Sequence, residues 1–407
     1  MTKPLSYMKN GEQMKILMVN KFLYPNGGSE TYMLRLGEYL TSLGHSVEYF
    51  GMEHKDNCVS NSAEAYTENM DFHNSGALKK IKLSLKTVYS KEARQKLRLV
   101  LDSFQPDVMH LNNFNYQLTP SIILEARKWE KENGRSLKIV YTAHDYQLIC
   151  PNHMMYNDDS ICEKCLGGKF INCTKGRCVH SSLLKSAVGT AEAFYWNKNK
   201  VYNQLDSVIC CSEFMKSRLD TNPVFKGKTV AIHNFIEKIE APNCEKEDYV
   251  LYFGRFSKEK GIDTILKTKG VKFLAAGSGP LEDEIKGADN VEFVGFKTGS
   301  ELAKLIAKAR LTVYPSIWYE NCPFSVMESI FCGTPVVASR IGGIPELIDD
   351  GKTGILFEAG NERQFEAAIK SLTENDEKAA QMSKFCNEAA FETIEDYTEK
   401  LIEIYKN

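Results

Sequence analysis

The chain has 407 residues, is 43% hydrophobic and 26% charged, and carries a formal net charge of −2. That length exceeds one ordinary core and predicts two domains, while the near-zero charge excludes a global field for nucleic acid. No apolar run reaches membrane-spanning length and the first residues lack a signal-peptide core, so the expected location is the cytoplasm, where 12 cysteines point to thiols or metal rather than a disulfide framework.

Residues 1–13 are polar and aperiodic and read as a flexible extension. Lys15 to Asn20 is a short buried-type strand, and Met33, Leu34, Leu36, Leu40 and Leu43 recur at helical spacing before a second strand, His45 to Phe50. Between them, Gly27-Gly28-Ser29-Glu30 forms a Gly-rich turn at the strand's carboxyl end, where backbone amides can approach an anion. The turn is neither a GxGxxG fingerprint nor a P-loop, and Gly-Gly before a helix is also simply a tight turn. Residues 77–100 hold eight basic side chains against one acid, Glu92. With Leu78, Ile81, Leu85 and Val88 at helical spacing they predict a helix with a solvated basic face, which also suits an anionic membrane surface.

Strands are expected at Asp107–Leu111 and Leu137–Thr142, with a helix over about 119–133 between them. The second strand ends at Ala143-His144-Asp145, a carboxyl-end position that makes His144 a candidate despite the usual structural role of a lone His. A cysteine loop follows: Cys150, Cys162, Cys165, Cys173 and Cys178, including a CxxC. Four of these five suit a structural zinc; a redox pair or metal-free thiols are the alternatives. Residues 181–205 read as an amphipathic helix with Phe194, Tyr195 and Trp196. Strands at 207–212 and 229–234 close the first domain, and the polar stretch 238–248 is the linker.

The second domain repeats the rhythm. Strand 249–254 ends in Gly254-Arg255 and runs on to Lys260-Gly261; strand 271–276 ends in Gly277-Ser278-Gly279-Pro280; strand 291–296 ends in Gly295-Phe296. Arg255 and Lys260 offer a fork of donors and a point charge, a pair suited to a diphosphate. Strand 311–314 is followed by Glu320-Asn321-Cys322-Pro323-Phe324-Ser325-Val326-Met327-Glu328, which puts Glu320 in a loop and Glu328 within the next helix. The N–H groups of that helix's first turn, around Pro323, Phe324 and Ser325, would face an anion. Two Glu residues at such a spacing are otherwise ordinary surface charges.

The ordered set of Gly254-Arg255…Lys260-Gly261, Gly277-Ser278-Gly279-Pro280, Gly295-Phe296, Glu320…Glu328 and Gly342-Gly343-Ile344-Pro345-Glu346 resembles the retaining, E-x7-E glycosyltransferases of family 4. The resemblance implies an α/β fold of GT-B type, two Rossmann-like doubly wound domains facing a central cleft. Their expected limits are 14–240, the acceptor domain with the cysteine insertion 150–180, and 241–390, the donor domain. A final helix in 391–407 is expected to pack back on the first domain.

It also implies roles. Arg255 and Lys260 bind the donor diphosphate, Glu328 holds the ribose hydroxyls, Glu320 contacts the sugar, and His144 lies near the transferred group. Gly27, Gly28, Gly254, Gly277, Phe296 and the backbone from Asn321 through Cys322 and Pro323 to Phe324 and Ser325 border the donor. Catalysis needs no metal cofactor on this view. The family's usual Gly-Phe-Gly-Leu turn is here Asn321-Cys322-Pro323-Phe324-Ser325, and Pro323 removes one N–H. Members with a similar cysteine insertion are associated with surface polysaccharide assembly. The expected activity is hexosyl transfer from a nucleotide sugar, UDP in preference to GDP, to a saccharide or lipid-linked saccharide at the inner membrane surface, where the basic helix and the helix around Trp196 would dock. A soluble sugar or sugar-phosphate transferase and a non-catalytic nucleotide-sugar-binding protein are the competing expectations.

Overall fold

A computed structural model describes residues 13–69, 87–236 and 244–407. Residues 1–12 of the expected N-terminal extension, the linker's first half and the segment carrying Lys79, Lys80, Lys82 and Lys86 lie outside these residues.

The chain begins with β1 (Lys15–Val19), α1 (Gly28–Ser42), β2 (Ser46–Phe50), α2 (Lys91–Phe104), β3 (Val108–Leu111), α3 (Ser121–Asn133) and β4 (Lys138–Ala143). The insertion then supplies a two-stranded antiparallel pair, β5 (Tyr156–Asn157) and β6 (Ser160–Ile161), a short α4 (Ile171–Lys175) and a longer α5 (Leu183–Lys198). β7 (Ser207–Cys210), α6 (Glu213–Leu219) and β8 (Thr229–Ala231) complete a six-stranded sheet of order β2-β1-β3-β4-β7-β8. β1 pairs in parallel with both β2 and β3, and its four residues from Ile16 to Val19 are fully buried. A continuous apolar strand of this kind is what a sheet covered on both faces requires.

The second half runs β9 (Val250–Arg255), α7 (Ile262–Lys267), β10 (Phe273–Ser278), α8 (Glu282–Lys286), β11 (Val291–Phe293), α9 (Gly299–Lys308), β12 (Leu311–Tyr314), α10 (Phe324–Phe331), β13 (Val336–Ser339), β14 (Gly354–Phe357), α11 (Glu362–Thr373), α12 (Asp376–Glu388) and α13 (Ile394–Lys406). Its sheet is parallel, in the order β11-β10-β9-β12-β13-β14. Along β9, Val250 and Tyr252 join a core with Phe273, Phe365 and Leu372, while Leu251 and Phe253 join another with Ala276 and Ile306. Successive side chains point to opposite faces, so both faces are filled.

Two compact units result. One comprises 1–144, 191–209 and 398–407; the other comprises 145–190 and 210–397. Within the first, α13 reaches the sheet through Tyr405, whose hydroxyl lies 2.6 Å from Nδ1 of the buried His110. The helix expected over 181–205 is shorter, and Trp196 is fully buried and stacked on Tyr89 at 5.8 Å. Trp196 is therefore not a docking side chain; Phe194 and Tyr195 are the exposed ones. Among the described residues, no helix is long and apolar enough to cross a membrane.

Candidate active site

In each sheet the strand order reverses at one place, between β1 and β3 in the first and between β9 and β12 in the second. The loops leaving the two strands there diverge and open a crevice at their carboxyl ends, the usual ligand position in doubly wound folds. Gly27 and Gly28 follow β1, Lys260 follows β9 and Glu320 follows β12, while His144, Gly277 and Phe296 belong to the carboxyl ends of the neighbouring strands β4, β10 and β11.

In the first unit, Gly27 is the N-cap of α1 and Gly28 its first residue, both exposed, so the leading N–H groups of the helix lie in an open loop. Asn20, at the end of β1, ties the site together. Its amide donates to Glu30 Oε1 at 3.0 Å, and its side-chain oxygen accepts from the Asn113 N–H at 2.9 Å. Asn113 in turn donates to Ser29 Oγ at 2.8 Å. His144 follows β4; its Nε2 is 2.9 Å from Asn112 Oδ1, and its ring meets Tyr32 edge-on at 4.9 Å. Below it, a buried chain runs Tyr405–His110–Thr142–Tyr32, with 2.7 Å between His110 Nε2 and Thr142 Oγ1 and 3.2 Å between the Thr142 and Tyr32 hydroxyls. Burial, then His144, pushes the His110 pKa down to about 3, so its ring is neutral. Asn20, Tyr32, His110 and Asn112 carry no sequence motif. Their position after or beside a strand's carboxyl end is the only signal that could have found them.

In the second unit, Lys260 and Glu320 meet. Lys260 Nζ donates to Glu320 Oε1 at 2.6 Å and to the Tyr314 hydroxyl at 3.1 Å, with the Trp318 ring 5.2 Å from it. Ser316 and the Trp318 indole donate to the same Oε1 at 2.9 and 2.6 Å. Oε1 thus accepts three donors, and Oε2 is outside that set. Burial opposes the Lys260 charge, but the Glu320 carboxylate and Tyr314 more than offset it and raise its pKa, so Lys260 is a fixed cation. Glu320 itself is 5% exposed.

Two glycines make this loop geometry. At Gly261, φ is +75° and a Cβ would stand 1.8 Å from the Pro315 carbonyl oxygen; at Gly342, φ is +59° and a Cβ would stand 2.2 Å from that of Glu320. Gly343 N–H donates to the Glu320 carbonyl at 2.8 Å. Glu346, which the sequence offers only as the last residue of the Gly342–Glu346 motif, accepts from the Glu213 and Phe214 N–H groups at 2.8 and 2.7 Å and pairs with His233 at 2.8 Å. Burial works against its charge, yet these donors lower its pKa.

The remaining candidates of this unit lie on β9, on β10, after β11 and along the loop into α10. Arg255, at the end of β9, is exposed and makes no ion pair among the described residues. Gly254 and Gly277 are register partners on β9 and β10. Phe296 is 70% exposed. Asn321 and Cys322 precede α10, Pro323 is its N-cap, and Phe324 and Ser325 contribute its leading N–H groups. Glu328 lies on the same helix, partly exposed.

The five cysteines of the insertion are free thiols, with Cys150, Cys165 and Cys173 buried and Cys162 and Cys178 partly so. Burial and the neighbouring thiols raise Cys150 to about 11 and Cys173 to about 12. Among the described residues, no group of three His, Cys, Asp or Glu is arranged to hold a metal.

These residues lie in two family matches. Residues 26–238, more than half of the chain, match the model for Glycosyltransferase Family 4. The chain belongs to that family. Residues 234–388 also match Glycosyl transferases group 1. The chain is 30% identical over 181 residues to an uncharacterised glycosyltransferase of Methanocaldococcus jannaschii, a match covering 42% of the chain and 51% of the relative. It therefore spans about half of that relative's length. It is 25% identical over 363 residues to an uncharacterised 42.6 kDa protein in the cps region of Klebsiella pneumoniae, covering 82% and 87% of the two chains. Its fold resembles HepE from Anabaena, solved in complex with UDP and glucose, with a TM-score of 0.64 at 17% identity over 97% of this chain and 100% of that one. The architecture is that of the GT-B glycosyltransferases, α/β with two Rossmann-like domains.

Proposed function

We propose that this glycosyltransferase moves a hexose, with retention, from a nucleoside-diphosphate sugar to a saccharide or lipid-linked saccharide, UDP being the preferred carrier. The observation that carries the reading is the Lys260–Glu320 pair, its carboxylate buried, with the exposed Arg255 ending β9 at the switch point of the same sheet. A glycosyl-transfer transition state gathers charge on the leaving diphosphate. Arg255 supplies a two-pronged donor for it, and Lys260 a cation that its partner keeps protonated. The leading N–H groups of α10 add the positive end of a helix. With two cationic side chains and a helix end available, charge stabilisation needs no metal. Glu328 takes the ribose hydroxyls and Glu320 Oε2 takes sugar hydroxyls. Attack is from the face the diphosphate leaves, and the departing phosphate oxygen accepts the acceptor's proton. UDP follows the fold likeness to HepE, and a role in surface polysaccharide follows the Klebsiella relative from a cps region.

Glu320→Gln is expected to abolish turnover and leave nucleotide binding nearly intact, because the incoming diphosphate replaces Glu320 as the anion facing Lys260. Sugar-transfer assays paired with UDP calorimetry test this. Full activity in the variant would sink the assignment.

A further inference from the structure

Among the described residues, eight large apolar side chains are exposed, and six of them fall between positions 161 and 195: Ile161, Ile171, Leu183, Leu184, Phe194 and Tyr195. Single exposed hydrophobes need no explanation, but a concentration of them does. Leu184 is 72% exposed and Leu183 54%. Both open α5. α4 is bound to α5 by a 2.8 Å bond between the Thr174 and Thr190 hydroxyls and by the Thr190 hydroxyl donating to the Phe170 carbonyl at 3.2 Å. Ile171 and Lys175 of α4, four residues apart, are both exposed.

Charge decides what covers this surface. Lys164, Lys169, Lys175, Arg177 and Lys185 are all exposed, and none forms an ion pair with another described residue. The one carboxylate among residues 160–187, Glu163, is held by Arg218 at 3.2 Å and by the Tyr319 hydroxyl at 2.9 Å. The other basic stretch is mixed: on α2, Arg94 is bound to Glu125 and Arg98 to Asp102 and Glu132, while Lys91 and Lys96 form no ion pair with a described residue. Two further acids, Asp158 and Asp159, are exposed at the turn between β5 and β6, where Asp158 accepts from the Asn157 amide at 2.8 Å and Asp159 lies 4.0 Å from Lys258, so the unpaired cations belong to the part of the surface from Lys164 onward. Leucine and isoleucine flanked by long, unpaired cations are the chemistry of an anionic bilayer surface: the apolar tips enter the headgroup boundary and the cations stay with the lipid phosphates.

We propose that the cysteine insertion and the start of α5 form a docking surface for anionic phospholipid membranes. This goes beyond the catalytic reading, since docking is measured without donor or acceptor. It would bring the protein to acceptors carried on lipid.

The test is co-sedimentation of the full chain with vesicles of phosphatidylcholine alone and of phosphatidylcholine with about 30 mol% phosphatidylglycerol. The wild-type chain is expected to bind only the anionic vesicles and to be released by about 0.5 M salt. Lys175→Glu with Lys185→Glu should weaken binding at least about thirtyfold, and Leu183→Glu with Leu184→Glu should abolish it. A UDP-induced thermal shift equal to wild type reports that each variant is folded. Absence of wild-type binding to anionic vesicles, or equal binding by both variants, overturns the proposal. So does a self-association that Leu184→Glu disrupts in sedimentation velocity while vesicles stay unbound, since the patch would then cover a second copy of the chain.

Discussion

Glu320 Oε1 accepts from Ser316, Trp318 and Lys260 at once, and that arrangement sets what single substitutions do. Arg255→Ala removes an exposed side chain and should leave stability within about 0.5 kcal/mol of wild type. Turnover should fall about 10²–10³-fold, the usual cost of losing one donor to transition-state charge. Steady-state kinetics beside a melting curve checks both halves. A second residue predicts a pH effect. Glu192 is buried, its Oε1 has no hydrogen-bond partner among the described residues, and burial raises its pKa from 4.5 to about 8. The folded state therefore holds a proton that the unfolded state releases between those values. Its contribution to stability falls as pH rises, by up to about 1.4 kcal/mol per pH unit, and levels off above about 8. His110, held neutral, contributes the opposite slope at lower pH, where the unfolded chain takes up a proton that the buried ring refuses. Comparing wild type with Glu192→Gln isolates the Glu192 part: the variant should gain on wild type as pH is raised from 5 to 8 in denaturant melts. An unchanged difference across that range would contradict the buried, protonated carboxyl.

Among the elements, the loop between β12 and α10 depends on two close backbone approaches. Gly261 and Gly270 have nearly the same φ, +75° and +74°, but a Cβ at Gly261 meets the Pro315 carbonyl, whereas one at Gly270 meets nothing within 4 Å. Gly270→Ala should cost about 1 kcal/mol from conformation alone. Gly261→Ala adds the collision, displaces the 315–320 loop and should weaken UDP binding, which Gly270→Ala leaves unchanged. Melting temperature and UDP affinity of the two variants separate the effects. Trp196 makes the complementary point. Its place in an aromatic helix suggested exposure, yet it stacks on Tyr89 inside the first unit. Trp196→Ala should cost about 3–5 kcal/mol. Helical spacing fixes which residues share a face; it does not say which face is covered when a helix has neighbours on more than one side. The cysteine spacing has the same limit, since proximity along the chain does not aim five sulfurs at one centre.

For the whole molecule, most strands of the two parallel sheets were legible because each is a short apolar run ending in a loop of Gly, Asn or charged residues, and parallel order then puts those loops at the carboxyl ends; β14, which starts at Gly354 straight after a turn, and the short polar β5–β6 pair were not. Arg255, Lys260, Glu320 and His144 could be placed that way, and Glu328 by its place in the helix that follows. Bonds between distant segments could not. His110 and Tyr405 are 295 positions apart, and Glu346 caps a helix that begins at Glu213, more than a hundred residues earlier. Each exists only once the sheets have brought the segments together. The central claim is that the second sheet's switch point holds a nucleoside diphosphate. The direct measurement is a thermal-shift series with UDP, GDP, ADP and dTDP on wild type and Arg255→Ala. UDP at about 100 times its dissociation constant should stabilise wild type by roughly 2.7 kcal/mol and the variant by much less. No shift with any of the four, or an equal shift in the variant, would contradict the account.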